Sequence, residues 1–221
     1  MINEFLSLIA PHHCCGCDKI GCLLCDNCKN NITSETITAC IICNCPTFQT
    51  CLCNTCRVPY ERVWVVGSRE GTLQRLVGLY KFERTKSAYK DLGDLLLDTL
   101  PELPPETVVV PIPTTPSRIR ERGYDHMLLV GRYFAKLRKL KYKQLISRRT
   151  NTKQRQATAR QRVEQAKKAF CLNGDIDANI PYLLIDDVYT TGSTMKYASQ
   201  ILQKAGAKHI WVAIIARQTL D

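Results

Sequence analysis

The 221-residue chain predicts an α/β domain built on a parallel sheet and preceded by a small cysteine-rich module. Three observations carry that expectation. Short apolar runs that read as buried strands alternate with stretches of helical period, the pattern of β-α-β units. Two of these runs end in unusual chemistry: Val108-Val109-Val110 runs into Pro111-Ile112-Pro113, and Leu183-Leu184-Ile185 into Asp186-Asp187. Finally, twelve of the thirteen cysteines fall between Cys14 and Cys56.

The cysteine module comes first, at residues 1–58, with the boundary near Pro59 and the larger domain at 59–221. Cys14/Cys17, Cys25/Cys28, Cys40/Cys43 and Cys53/Cys56 each have C-x-x-C spacing. Two thiolates three residues apart on a tight turn both reach a tetrahedral Zn²⁺ at about 2.3 Å, and two such turns complete a closed four-sulfur site. Eight thiols therefore suit one or two structural zinc ions. A disulfide framework would need an oxidising compartment, and a redox C-x-x-C usually occurs once beside a βαβ unit. Spacing alone does not assign which pairs share a metal, and Cys15, Cys22, Cys45 and Cys51 lie close enough to substitute. So short a segment with few large apolar side chains needs metal-ligand bonds for stability. His12 and His13 precede the first pair and read as surface residues.

In the larger domain, Leu73, Leu76, Val77 and Tyr80 recur at helical period, as do Ala88, Leu92, Leu95, Leu96 and Thr99 after Ser87, a plausible cap. A proline-rich connector, 101–105, leads to the Val108 strand. Next come a loop carrying Arg118, Arg120 and Arg122, then Gly123, and a helix from Met127 through Tyr133 with Asp125 as its cap. A strand near Leu145 follows. The polar stretch 150–165 reads as a surface loop that orders on ligand binding. Tyr182 to Ile185 is a buried strand, Met195 to Ala205 a helix ending before Gly206, and Ile210 to Ala216 the last strand.

The segment from Asp186 to Thr194 is the most specific. A strand ending at Ile185 delivers both carboxylates to the sheet's C-terminal edge, where open α/β sheets bind ligands. Thr190, Thr191, Gly192, Ser193 and Thr194 then sit where hydroxyls, backbone N–H groups and a helix N-terminus converge on a phosphate. An ordinary β-loop-α turn would not need this combination. A nucleoside-triphosphate loop would need Gly-Lys-Ser/Thr and a dinucleotide fold Gly-x-Gly-x-x-Gly, and neither is present. The reading requires both acids to face a cavity and not to be locked in salt bridges.

The net charge is +11, and it is local: residues 118–168 hold seventeen Lys or Arg against Glu121, Asp125 and Glu164, a surplus of 14. Such a band calls for anions, a diphosphate-bearing small molecule, a nucleic-acid backbone or both, although its Lys-rich part, Lys136 to Lys143, reads better as a solvated basic face. Guanidinium forks at Arg118, Arg120 and Arg122 suit a diphosphate. Aromatic residues that could stack on bases are sparse there, so sequence-specific nucleic-acid readout is not supported. No run approaches the roughly 18 apolar residues of a membrane helix. The first ten residues lack the basic lead of a secretory signal, which points to a cytoplasmic protein without membrane insertion.

The acid pair and its loop resemble the signature of type I phosphoribosyltransferases, which bind 5-phosphoribosyl-1-diphosphate together with Mg²⁺. That likeness implies that Asp186 and Asp187 hold the ribose hydroxyls and that 190–194 takes the 5-phosphate. The wider order narrows the resemblance. Cysteine knuckles, Tyr80-Lys81-Phe82, Val-Pro-Ile-Pro with a trailing Arg122-Gly123-Tyr124, a Gln/Arg-rich stretch ending Ala169-Phe170, and the acid-pair loop are together similar to the ComF family, along nearly the whole chain. In that likeness the loop bearing Arg118, Arg120 and Arg122 contacts the diphosphate, and the stretch with Gln154, Arg160 and Arg162 is a mobile region closing over the ligand. Where the family commonly reads Arg-Gly-Phe-Asn-Gln, this chain has Asp125 and His126 in the last two places. His126 reads as packed or solvated more readily than catalytic.

The resemblance implies a role in natural competence and transformation. It extends to DNA uptake, or the handling of single-stranded DNA in the cytoplasm, beside a helicase-like ComFA or a recombination mediator. Two other outcomes stay open: an active phosphoribosyltransferase with an unnamed acceptor, and a phosphoribosyl-diphosphate sensor or adapter without catalysis.

Overall fold

The computed structural model describes residues 11–35, 37–148 and 170–218. Its centre is a five-stranded parallel sheet in the order β1-β7-β6-β2-β3. The strands are β1 (Arg62–Ser68), β2 (Val108–Pro111), β3 (Lys141–Tyr142), β6 (Pro181–Tyr189) and β7 (His209–Arg217). A separate antiparallel pair joins β4 (Ile146–Arg148) to β5 (Phe170–Leu172). The helices are α1 (Asp26–Ser34), α2 (Gly71–Phe82), α3 (Tyr89–Thr99), α4 (Pro116–Arg122), α5 (His126–Leu137) and α6 (Ser193–Lys204).

The strands are buried on both faces, so their side chains divide by the two-residue period. Val109, Leu183, Ile185, Trp211 and Ala213 join α2, α3 and α5 in one core. Val108, Val110, Leu184, Val212 and Ile214 join α6 and the β4–β5 pair in the other. Each helix brings residues at helical spacing: Leu73, Leu76, Val77 and Tyr80 from α2, Met195, Ala198 and Leu202 from α6. Asp125 caps α5, its Oδ1 accepting from the N–H groups of Met127 at 3.1 Å and Leu128 at 3.4 Å. α3 instead begins from a 3₁₀ turn, Lys86–Ala88, with no side-chain cap, so the expected role of Ser87 is not found.

The cysteine module packs against the β1 side of the sheet and contributes to both cores. Leu23, Leu24, Ile32 and the sulfurs of Cys14, Cys25 and Cys28 belong to the first core, Ile41 and Cys51 to the second. The Cys51 N–H donates to the Val63 carbonyl at 2.7 Å, giving the edge strand β1 a main-chain partner.

Several local expectations are corrected. β1 is a strand beyond those read from the sequence: Val63 to Val66 is an apolar run like that at Val108, and it pairs in parallel with β7. The arginine-bearing segment is a short helix, α4, closed by Gly123 at φ 85°. Pro116 at its first turn lacks only an N–H that would have no helical partner. The strand near Leu145 divides into β3, on the sheet, and β4, off it. β6 runs on through the acid pair to Tyr189 instead of stopping at Ile185. Gln154, Arg160 and Arg162 lie outside the described residues.

Candidate functional site

Register creates the site. β2 ends with Pro111 opposite Ile185, whereas β6 continues beside β7 as far as Tyr189 opposite Arg217. Asp186 and Asp187 therefore stand on a strand that overhangs its neighbour, above the segment leaving β2. That segment is tied down by two bonds: Ile112 N–H to the Ile185 carbonyl at 2.9 Å, and Thr114 N–H to Asp125 Oδ2 at 3.0 Å. Asp125 thus joins the β2 exit to the start of α5.

A cavity of about 350 Å³ opens there. Asp186, Asp187, Thr190 and Thr194 line it, together with Arg118 and Arg122. Lys81, Arg69 and Arg148, which the sequence did not single out, line it too, as does His126. Thr191, Gly192 and Ser193 turn around an adjoining small hollow that Asp186 also borders. Arg120 projects from the exposed side of α4 and does not reach the cavity.

The loop geometry depends on Gly192. Its φ of 71° is left-handed, and an added Cβ would lie 2.2 Å from the Tyr189 hydroxyl. The turn leads straight into α6, whose first N–H groups have no intrahelical partner. Thr191 and Ser193 hydroxyls are 3.0 Å apart at its rim. Polar hydrogens and the positive end of a helix dipole are thereby concentrated beside five cationic side chains.

The two acids have different surroundings. Asp187 is buried and pairs with Lys81 Nζ at 2.8 Å and with the His126 ring through Nε2. Burial opposes its charge, but the His126 hydrogen bond and Lys81 outweigh it and hold the carboxyl well below the usual range. Asp187 is thus already engaged, contrary to the expectation of two unlocked acids. Asp186 goes the other way: burial, then the neighbouring Asp187 charge, push it up to about 8, against the Asp187 N–H, Lys81 and Arg148.

The approach to the cavity is braced by aromatic residues. Tyr80 donates its hydroxyl to the His126 carbonyl at 2.7 Å, and Tyr124 donates to the Tyr80 carbonyl at 2.8 Å. Lys81, between Tyr80 and the exposed Phe82, is fixed by that lattice. Its signal in the sequence is the Tyr-Lys-Phe segment alone; His126, which the sequence presents as packed or solvated, lies on Asp187.

The eight C-x-x-C thiols gather as two groups in chain order, Cys14, Cys17, Cys25, Cys28 and Cys40, Cys43, Cys53, Cys56, with all sulfurs of a group within 4.8 Å of one another. Measured pairs are Cys17–Cys25 at 3.5 Å, Cys40–Cys56 at 3.9 Å and Cys43–Cys53 at 3.5 Å. Ligands about 2.3 Å from a tetrahedral ion are about 3.8 Å apart, so the donor sets fit zinc. Cys45 is 3.3 Å from Cys43 at the second group. The two groups open on the same turn: Asp18 and Asn44, each following the second cysteine, share φ 61° and donate to the Cys14 and Cys40 carbonyls. Burial opposes the Cys14 thiolate, but backbone N–H donors from Cys25, Cys17 and Gly16 outweigh it and bring the thiol down to about 6. Arg217, at the end of β7, donates to the Cys40 and Ile41 carbonyls and to Asn44 Oδ1, fastening the second group to the sheet. His12 and His13 belong to neither group.

No family model matches the chain. Among curated proteins it is similar to competence protein ComFC of Streptococcus pneumoniae, 28% identical over 59% of this chain and 57% of that protein. It is also similar to competence protein F of Haemophilus influenzae, 27% over 72% and 73%, and to ComFC of Bacillus subtilis, 27% over 83% and 79%. The chain is thus similar to competence proteins of the ComF kind. It spans little more than half the length of the Streptococcus pneumoniae relative. Among solved structures it aligns with a hypoxanthine phosphoribosyltransferase from Staphylococcus aureus over 63% of this chain and 74% of that one, at 15% identity and a TM-score of 0.35. Among the described residues of this chain, no helix is long and apolar enough to cross a membrane.

Proposed function

We propose that this chain binds 5-phosphoribosyl-1-diphosphate with its Mg²⁺ at the β2–β6 edge, and that this binding serves natural competence. One observation carries the ligand reading: a single cavity is lined by the acid pair, the hydroxyl residues Thr190 and Thr194 at the two ends of the glycine loop, and five cationic side chains. A phosphorylated pentose bearing a diphosphate has complementary chemistry at both ends. Its vicinal hydroxyls meet the acid-pair end of the cavity, and its 5-phosphate meets the 190–194 loop and the α6 N-terminus. Its diphosphate meets Arg118 and Arg122, whose planar forks match phosphate oxygens. Mg²⁺ arrives with the diphosphate and neutralises part of its charge. Zinc at the two cysteine groups holds the module against the β1 edge.

The competence assignment rests on the relatives. A role with single-stranded DNA is supported by the exposed Arg132, Lys136, Lys139, Lys141 and Lys143 along α5 and β3, a cationic ridge suited to backbone neutralisation.

Calorimetry of phosphoribosyl diphosphate with Mg²⁺ tests the pocket. The wild type binds and the Asp186→Asn/Asp187→Asn pair loses about tenfold or more in affinity, since charge-assisted hydrogen bonds are lost. Equal affinities for both proteins refute the assignment. Release of diphosphate with any offered acceptor would add catalysis to binding.

A further inference from the structure

The three groups around Asp187 restrict what it can do. Arg122 Nη1 lies 3.1 Å from His126 Nδ1. A guanidinium has only donors, so Nδ1 must accept; the ring is neutral with its one proton on Nε2. That proton is given to Asp187 Oδ2. The same oxygen takes Lys81 Nζ at 2.8 Å, and all three side chains are largely shielded from water. Lys81 keeps two further N–H donors, and it lines the cavity. Asp186, one residue earlier on the strand, projects to the opposite side by the two-residue period. Among the described residues its carboxyl accepts only the Asp187 N–H, at 2.9 Å.

We propose that the acid pair divides its labour. His126, its tautomer set by Arg122, and Asp187 are positioning residues that aim Lys81 at the anionic end of the ligand, and Asp186 is the acid that meets the pentose hydroxyls. This rests on the phosphoribosyl-diphosphate reading of the same cavity. It assigns Lys81 to the diphosphate and removes Asp187 from direct contact with the sugar. The physical reason is saturation. An oxygen that already accepts from an ammonium and an imidazole in a shielded site gains little from a further hydroxyl, and breaking the pair would strand a buried charge.

The test compares two probes, Mg²⁺-phosphoribosyl diphosphate and ribose 5-phosphate, which share the sugar and differ in the diphosphate. Lys81→Met and Asp187→Asn should each weaken the diphosphate ligand about tenfold, and the double variant no more than either, because both remove one unit. Ribose 5-phosphate affinity should change less than about threefold in those variants and fall about tenfold in Asp186→Asn. His126→Gln, which retains an N–H donor, should keep diphosphate affinity, whereas His126→Phe should lose it as Asp187→Asn does. Circular dichroism confirms that each variant is folded. In the wild type, ¹⁵N spectra of His126 should show the ring proton on Nε2 and Nδ1 as the accepting nitrogen. Additive losses at Lys81 and Asp187, or ribose 5-phosphate weakened equally by Asp187→Asn and Asp186→Asn, overturn the division while leaving the pocket assignment standing. A wild type that binds neither probe removes both together.

Discussion

Replacing Gly192 by alanine tests whether the hydroxyl loop is built as described. Two costs add at this position. A residue with a Cβ at φ 71° pays roughly 1–2 kcal/mol for the left-handed conformation. The new methyl would also lie 2.2 Å from the Tyr189 hydroxyl, 2.6 Å from Cζ and 2.9 Å from Cε2. Tyr189 is buried within the second core, so its ring cannot simply swing aside. Overpacking of this kind costs about 1–3 kcal/mol. The expected loss in urea denaturation is therefore about 2–5 kcal/mol. A double-mutant cycle separates the parts, because Gly192→Ala in a Tyr189→Ala background should retain only the backbone share, about 1–2 kcal/mol. Affinity for phosphoribosyl diphosphate should fall with stability, since the same turn orients the first N–H groups of α6. A Gly192→Ala protein within about 0.5 kcal/mol of wild type would falsify the loop geometry and, with it, the phosphate end of the pocket.

Other outcomes follow from the remaining features. Metal analysis should find two zinc ions per chain, one per cysteine group. Cys14→Ser should reduce this to one and lower the melting temperature of the whole protein in a single transition, because Cys14 is fully buried in the core shared with α2 and α3. Independent melting of the module would contradict that shared core. Asp186 predicts a pH dependence. Its folded value, about 8, is above the ordinary 3.8, so between those values its ionisation disfavours the unliganded fold, and stability falls as pH rises through that window. A ligand whose hydroxyls need the carboxylate should bind more tightly as pH rises towards 8. At pH 7 binding should release about one proton, read by calorimetry in buffers of different ionisation enthalpy. A proton count of zero counts against a protonated Asp186. DNA binding by the α5–β3 ridge should weaken steeply with salt in filter or fluorescence assays, and salt-independent binding would remove backbone neutralisation as its basis.

Much of the fold was legible because its signals are local. The all-apolar runs at Val108 and Leu183 announce strands buried on both faces, and Leu73, Leu76, Val77 and Tyr80 announce a helix, without reference to anything distant. The thiol groups were legible for the same reason: a C-x-x-C turn sets its own geometry. β1 carries the same kind of all-apolar run at Val63 to Val66, and its pairing with β7 places it at the edge of the sheet. Arg118 and Arg122 reach the cavity and Arg120 does not, because α4 is a helix and turns the middle arginine outwards. Lys81 and His126 were not singled out as parts of the site. His126 meets Asp187 across 61 positions of sequence, and no local pattern encodes such a meeting.

From the amino-acid order alone came the chemistry at hand: paired acids before a glycine-bearing hydroxyl loop, eight thiols at metal-ligand spacing, and a concentrated band of positive charge. Those depend on residue type and short spacing, which the chain carries wherever it goes. Tertiary structure decided the partnerships. It grouped the thiols in succession, extended β6 past the end of β2 so that the acids overhang a cavity, and turned one acid onto Lys81 and His126 while its neighbour accepts only a main-chain N–H among the described residues. Strand register and helix packing act between residues far apart in sequence, and a side chain's charge state is set by whatever that packing places beside it.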